Sequence, residues 1–177
     1  MGTRIFFFIR VLGVLLVIVR KRVVGAWCAI ELSFFGAIPI ILGKTGEDAE
    51  ASFKYFLVQV VGSSLIMAGV ISSLSEVAVW PMWLFFIRGF SLKLGLFPFH
   101  SWVPNVCGLL GVVGIFIILV VQKVGPLWVL GGVGAPSCVL RGFLFLGLLR
   151  RVVGSVGGLG QVGLRGLLGY SSLSHRG

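Results

Sequence analysis

The sequence predicts an all-α integral membrane protein, with a single transmembrane domain over residues 1–177 that forms a bundle of about six to seven helices, one of them broken by prolines. Hydrophobic residues make up 58% of the chain and charged residues only 11%, whereas a soluble domain carries about 25% charged residues. The mean hydropathy is +1.12. Each apolar stretch approaches the roughly 20 residues that a helix needs to cross a lipid bilayer, which favours helices over a barrel of alternating strands.

The net charge of +10 does not indicate that the chain binds nucleic acid. The arginines stand singly or in pairs, mostly at the ends of apolar stretches, where basic side chains anchor helices to the interface and set their topology. The three cysteines, Cys28, Cys107 and Cys138, have no C-x-x-C spacing. We therefore expect neither a zinc nor an iron–sulfur site, and no other metal site, on this chain.

The first part of the chain predicts three spans. Arg10 interrupts the first apolar stretch, and Arg20-Lys21-Arg22 follows it where a signal peptide would have its cleavage site, so we expect this span to be retained. The second span carries Glu31 and Pro39. An acidic loop that contains Thr45 predicts the start of the next helix. The three spans cover residues 5–19, 23–42 and 53–74.

The second part predicts three less regular spans and a tail. Arg150-Arg151 closes the last of these spans, and the tail after it is expected to begin a further helix. Glycine recurs at every third residue from Gly154 to Gly169, which indicates close helix packing rather than a phosphate-binding loop, because no strand precedes these glycines. The spans cover residues 77–102, 106–121 and 127–149, and the tail covers residues 152–177.

A charge, a glycine and two prolines fall within twelve residues at the end of the fourth span and just after it, at Lys93, Gly95, Pro98 and Pro104. Since neither proline has an N–H to donate to the preceding turn, we expect the helix to break or kink at both. Broken helices at membrane depth line polar cavities, because lipid cannot satisfy the freed backbone groups. The sequence therefore predicts a functional site at this break.

Three ionisable residues lie in or beside the apolar segments: Glu31, Lys93 and Lys123. A lysine at the bilayer centre costs about 2.5 to 3.5 kcal/mol on insertion scales, so it normally faces protein or a water path. Burial favours the neutral forms of such groups and opposite charges favour the charged forms, which permits proton exchange near neutral pH. The three residues are thus candidates for a proton relay, with a static ion pair or a snorkelling lysine as the alternative.

Two further features lie beside these lysines. Pro126 has no N–H to donate to the carbonyl of Gln122, the residue before Lys123, so a second helix distortion is expected there. His100 follows the first break and is a candidate either for proton transfer or for a structural hydrogen bond.

These residues bring the sequence close to a known family. The segment 93–106 and the motif Gln122-Lys123 with Pro126 resemble the subunit 2 family of NADH dehydrogenase. Members of this family are antiporter-like membrane subunits of respiratory complex I. The segments 50–59 and 170–175 resemble the same family. The order and approximate spacing of these motifs agree from Trp27 to His175, nearly the whole chain.

The resemblance implies a multi-pass subunit of the mitochondrial inner membrane that translocates protons and is built like the first repeat of the antiporter-like subunits. NADH, FMN, the iron–sulfur clusters and ubiquinone would then belong to other subunits, with no cofactor or redox site on this chain. By the same resemblance Glu31 tunes Lys93, the lysine of the broken helix, and Lys123 passes the proton onward. The expected partners are the other membrane subunits of the complex.

The sequence departs from this family in two respects. Asn105 replaces the acidic residue usual after the proline, which argues against a loop carboxylate there. The second inverted repeat is absent, so we expect a fragment, a second half supplied by a separate chain, or a non-translocating membrane scaffold. A related cation/proton antiporter subunit is the remaining alternative within transport.

Overall fold

The computed structural model describes residues 2–19, 22–43, 45–74, 79–132 and 134–175, and it confirms the predicted all-α class, with no strand among these residues. In chain order the helices are α1 Gly2–Val19, α2 Val23–Ile41, α3 Gly46–Leu74, α4 Val79–Leu94, α5 Trp102–Leu109, α6 Val112–Phe116, α7 Gln122–Gly132, α8 Ser137–Leu159 and α9 Leu164–His175. A π-helical segment, Ile117–Val121, joins α6 to α7 without a break.

Three helical segments of the described residues are long and apolar enough to cross a membrane: Val23–Ile41, Gly46–Leu74 and Val112–Gly132. This number is smaller than the six or so spans that the sequence predicts. Large apolar side chains are nevertheless exposed along the outer faces of other helices, among them Leu144 and Phe145 of α8. Exposed apolar surface of this extent is typical of contact with lipid or with another chain.

The predicted start of the third helix at Thr45 is confirmed. The hydroxyl of Thr45 accepts the backbone N–H of Asp48 at 3.3 Å and donates to the carboxylate of Asp48 at 2.6 Å. Thr45 thus acts as an N-cap that satisfies one of the backbone donors that the first turn of α3 leaves unpaired. Of the predicted basic cluster at residues 20–22, Arg20 and Lys21 lie outside the described residues, and Arg22 is exposed.

Two predicted boundaries in the second part are wrong. The span expected at residues 106–121 starts instead at Val112 and continues to Gly132, because Leu110 and Gly111 are extended and interrupt the helix. Lys123 therefore lies within a span rather than after its end. Arg150-Arg151 does not close the sixth span, since α8 starts only after Pro136 and runs to Leu159, with Arg150 buried inside the protein.

The helices pack as antiparallel pairs around the run that contains α7. α1 packs against α2, α3 against α4 and α8 against α9, while α7 contacts α1, α2 and α4. One apolar core lies among α1–α4 and α7, and a second lies among α2, α3, α5, the π-helical segment and α9. The lysine-bearing helices α4 and α7 thus meet in the interior of the bundle.

The tail forms the additional helix α9 that the sequence predicts, and its glycines permit close packing. A Cβ at Gly154 would lie 2.7 Å from the backbone nitrogen of Ser174, and one at Gly169 would lie 3.1 Å from Cα of Pro104. These glycines let α9 approach both α8 and α5. The packing interpretation of the repeat is therefore correct at these two positions.

Candidate functional site

Lys93 lies in the last turn of α4, and Gly95 ends that helix. The backbone angle φ of Gly95 is +67°, in the left-handed region. The N–H of the next residue, Leu96, donates to the carbonyl of Ser91 at 2.8 Å. The N–H of Gly95 donates to the carbonyl of Leu92 at 3.2 Å. These two bonds form a Schellman motif, which needs a left-handed residue that glycine supplies without strain.

The two prolines act differently from the prediction. Pro98 lies in the loop after the helix has already ended, and its peptide bond with Phe97 is cis. Pro104 does not break or kink a helix, because it is the third residue of α5, where a backbone N–H has no acceptor within the helix. The indole Nε1–H of Trp102 donates to the carbonyl of Leu92 at 3.1 Å and joins α5 to α4 across the break.

We expect Gly95→Ala to destabilise the chain by at least about 1 to 2 kcal/mol, the cost of a left-handed conformation for a residue with a Cβ. That Cβ would also lie 2.6 Å from Cγ2 of Val103. Gly134→Ala is the matched control, because Gly134 has φ +64 and open space around it. In thermal denaturation, the midpoint of unfolding should fall more for Gly95→Ala than for Gly134→Ala. Equal midpoints for the two variants would contradict the predicted clash.

Glu31, Ser63 and Lys93 meet at one point in the interior. The Nζ of Lys93 donates to Oε1 of Glu31 at 2.8 Å, and the hydroxyl of Ser63 donates to the same oxygen. The Lys93 side chain is 1% exposed and that of Glu31 is 15% exposed. Because the ammonium and the carboxylate are in direct contact and nearly free of solvent, a proton can move between nitrogen and oxygen without separating charges through lipid.

Glycines at the crossing of α3 and α4 place Lys93 at this point. A Cβ at Gly62 would lie 3.0 Å from Cγ of Lys93, and a Cβ at Gly89 would lie 2.6 Å from Cγ1 of Ile66. The aliphatic stem of Lys93 therefore passes across α3 where that helix has no side chain. Small residues of this kind allow membrane helices to approach closely.

Lys123 is also buried, with 5% of its surface exposed. It is the second residue of α7, directly after the π-helical segment, so the distorted backbone beside it precedes Lys123 and does not lie at Pro126, where the sequence predicted it. Pro126 itself lies inside α7. The structure places Lys123 on a different helix from the Glu31–Lys93 pair, and its role as a second relay stays a prediction.

His100 lies in the loop between α4 and α5 and is half-buried. Its ring stacks on that of Phe97 with centroids 5.8 Å apart, and its backbone carbonyl accepts the N–H of Val103 at 3.1 Å. His100 thus contributes to the structure of the break, and its part in proton transfer stays a prediction.

Arg10 is a buried residue whose importance the sequence-based prediction missed. It is 1% exposed, and its Nη2 donates to the carbonyl of Ile117, the first residue of the π-helical segment, at 2.9 Å. From the sequence, Arg10 served only to exclude a signal peptide. A lone arginine in the middle of an apolar helix was the signal that could have identified it, because such charges normally face the bundle interior.

Comparison with known proteins places this arrangement in a family. Residues 71–177 match the family model described as NADH:quinone oxidoreductase/Mrp antiporter, TM. The NADH-ubiquinone oxidoreductase chain 2 of Rhinoceros unicornis is 34% identical over 94% of this chain and 50% of its own length. The proteins of the same name from Balaenoptera physalus and Balaenoptera musculus are 35% and 36% identical over the same shares. This chain thus spans about half the length of these relatives.

A solved structure, respiratory complex I from Thermus thermophilus with bound Aureothin, contains a chain with the same fold. The TM-score is 0.86 at 22% sequence identity, over 98% of this chain and 43% of that one. Together with the chain 2 relatives, this match confirms the predicted resemblance to subunit 2 of NADH dehydrogenase. The family model covers more than half of the residues of this chain, and the chain therefore belongs to the NADH:quinone oxidoreductase/Mrp antiporter transmembrane family.

Proposed function

We propose that this chain takes part in proton translocation as a multi-pass membrane subunit of a mitochondrial NADH:ubiquinone oxidoreductase, complex I. The observation that carries the proposal is the buried contact between Lys93 and Glu31, at 2.8 Å, beside a break between two helices. An ion pair that is buried to this extent adds little to stability. A titratable pair in the membrane interior is instead typical of a proton pathway.

The pair acts as a proton station with two states. In one, the ammonium of Lys93 faces the carboxylate of Glu31, which also accepts the hydroxyl of Ser63. In the other, Lys93 is neutral after its proton has left, and the carboxylate has lost its charged partner. A change of charge or hydration near the pair shifts the balance between these two states. A distant reaction that causes such a change can therefore drive proton transfer.

Lys123 is the next station in this proposal. It lies on α7, which packs against both α2 and α4, the helices that carry Glu31 and Lys93. The direction of transfer from the pair to Lys123 is the one that the family resemblance implies.

Electron transfer from NADH to ubiquinone takes place on other subunits in this proposal. Those subunits hold NADH, FMN, the iron–sulfur clusters and ubiquinone, and this chain holds no cofactor. Its partners are the other membrane subunits of the complex.

Lys93→Met in the assembled complex tests the proposal. It keeps an unbranched side chain but removes the proton carrier, so we expect proton translocation to fall by about tenfold or more relative to electron transfer. Lys54→Met is the matched control, because Lys54 is exposed and pairs with Glu50 at 2.6 Å on the surface of α3. Translocation and NADH oxidation would be measured together in proteoliposomes. Unchanged translocation at an unchanged rate of electron transfer would indicate a membrane scaffold instead.

A further inference from the structure

Arg10 of α1 makes a single hydrogen bond from the interior of the bundle. Its side chain is 1% exposed, and its Nη2 donates to the carbonyl of Ile117 at 2.9 Å. Its Nε and Nη1 have no hydrogen-bond partner within the described residues. A buried guanidinium that leaves nitrogens without a protein partner adds little to the stability of the whole chain. The stability of the fold therefore does not account for an arginine at this position.

The acceptor of this bond lies at the irregular turn between α6 and α7. Ile117 begins the π-helical segment, and its carbonyl also accepts the backbone N–H of Gln122, five residues later. In an α-helix the same carbonyl would accept the N–H of Val121, four residues later. A carbonyl oxygen has two lone pairs, so Gln122 and Arg10 can bind it together. The guanidinium thus contacts the backbone hydrogen bond that defines the π-helical geometry.

This contact favours the π-helical geometry over an α-helical one. A π-helical turn within an α-helix is uncommon, and helix distortions occur where a side chain inserts into the backbone hydrogen bonds. The bond from the guanidinium is charge-assisted, which makes it about twice as strong as a bond between neutral groups. Arg10 therefore supplies a local interaction that holds the π-helical turn at this place in the chain.

Glycines bring the surrounding helices close to Arg10. A Cβ at Gly36 of α2 would lie 2.9 Å from the backbone nitrogen of Arg10 and 3.1 Å from its Cα. A Cβ at Gly125 of α7 would lie 3.2 Å from Cγ1 of Ile30 on α2. α1 also packs directly against α7. Packed helices therefore enclose the guanidinium beside the π-helical segment.

We propose that Arg10 is a positioning residue for Lys123, because its guanidinium stabilises the π-helical segment that keeps Lys123 inside the bundle. This inference rests on the proposed function, in which Lys123 is the second proton station. The effect passes through the backbone and needs no contact between Arg10 and the amine. Arg10 binds the carbonyl of Ile117, and that carbonyl binds the N–H of Gln122. Lys123 is the next residue and is 5% exposed.

Arg10→Met in the assembled complex is the first test, because methionine keeps an unbranched side chain but cannot donate a hydrogen bond. Losing a bond from a charged donor shifts the balance between two conformations by about 10- to 100-fold. We therefore expect proton translocation to fall about tenfold or more relative to electron transfer. Arg10→Lys, which keeps a charge and donors, should restore part of this loss. Arg4→Met is the matched control, since Arg4 lies on the same helix and is exposed.

Deleting Val120 in the Arg10→Met variant separates positioning from packing. The π-helical segment accommodates one residue more than an α-helix of the same length. Without Val120, an α-helical run would present Lys123 on the same face as before, so Arg10 would no longer be needed. Val120 is half-buried, and its loss removes little from the core. We expect the combined variant to translocate protons several-fold faster than Arg10→Met, and no recovery would overturn the proposal.

A high-resolution structure of the Arg10→Met complex gives a test that does not depend on proton translocation. We expect the N–H of Gln122 to donate to the carbonyl of Ile118, four residues earlier, and the exposed fraction of Lys123 to rise. An unchanged bond from Gln122 to Ile117 would overturn the inference.

The outcome for Arg10 is distinguishable from that for the proposed function. If Lys93→Met lowers translocation while Arg10→Met does not, the proposed function stands and only this inference fails. A smaller amount of assembled complex, with a normal proton-to-electron ratio in what remains, would assign Arg10 a role in folding only and would also overturn it. Should Arg10→Met prevent assembly, Arg10→Gln, which keeps a neutral donor, gives the same comparison with a smaller expected loss.

Discussion

Replacing Glu31 with glutamine is expected to destabilise the folded chain by about 3 kcal/mol, because it leaves the ammonium of Lys93 buried beside an uncharged amide. The two side chains are 2.8 Å apart, and little solvent reaches Lys93 to replace the lost partner. The hydroxyl of Ser63, which donates to Glu31, would also lose its charged acceptor. Proton translocation should fall with it, since Lys93 no longer has the charged partner that favours its protonated state.

The double variant Glu31→Gln/Lys93→Met distinguishes a lost ion pair from general damage. Removing both charges should recover stability relative to Glu31→Gln alone, with a coupling energy of about 0.5 to 3 kcal/mol. Glu50→Gln is the matched control, because Glu50 is exposed and its surface pair with Lys54 contributes little. The thermal midpoint of each purified variant gives the comparison. A double variant no more stable than the single one would argue against the pair as the cause.

Gly89→Ala is expected to reduce proton translocation by up to about 100-fold, the effect of displacing a reacting group by about 1 Å. The added Cβ would lie 2.9 Å from the carbonyl oxygen of Gly62 and 3.0 Å from the backbone nitrogen of Ile66. Backbone atoms cannot rotate away as a side chain can, so α3 and α4 must separate. Lys93 on α4 would then move away from Ser63 on α3.

Gly142→Ala is the control for this substitution. Gly142 lies inside α8 with open space around the position of a Cβ, so alanine there should be neutral or stabilise the helix by up to about 1 kcal/mol. Gly89→Ala should instead lower the thermal midpoint, because overpacking costs about 1 to 3 kcal/mol. Normal translocation and an unchanged midpoint for Gly89→Ala would show that the two helices do not need their close approach.

The charged residues of the candidate site were predictable because charge in an apolar stretch is rare and has few physical explanations. Glu31, Lys93 and Lys123 stand out by this criterion alone, and the structure brings the first two into contact. Thr45 was predictable for a similar reason, since an N-cap threonine followed by acidic residues is a local pattern. Predictions of this kind depend on few residues close together in sequence.

Features that depend on long-range packing could not be predicted from local signals. The prolines suggested where α4 ends, yet Gly95 ends it, because a glycine in the left-handed conformation closes a helix more effectively than a proline that follows later. Arg150 suggested the end of a span, but it is buried within α8. The contact of Arg10 with Ile117 joins residues 107 positions apart, which no local pattern reveals.

The wide turn at Ile117–Val121 inserts one residue into an otherwise α-helical run. Each residue of an α-helix advances by about 100° around the axis, so the insertion offsets every later side chain by that angle. In an uninterrupted helix, Lys123 would occupy the azimuth that Val124 now holds. Val124 is 39% exposed, whereas Lys123 is 5% exposed. A single additional residue upstream is thus what turns the second amine from the periphery of the bundle toward its centre.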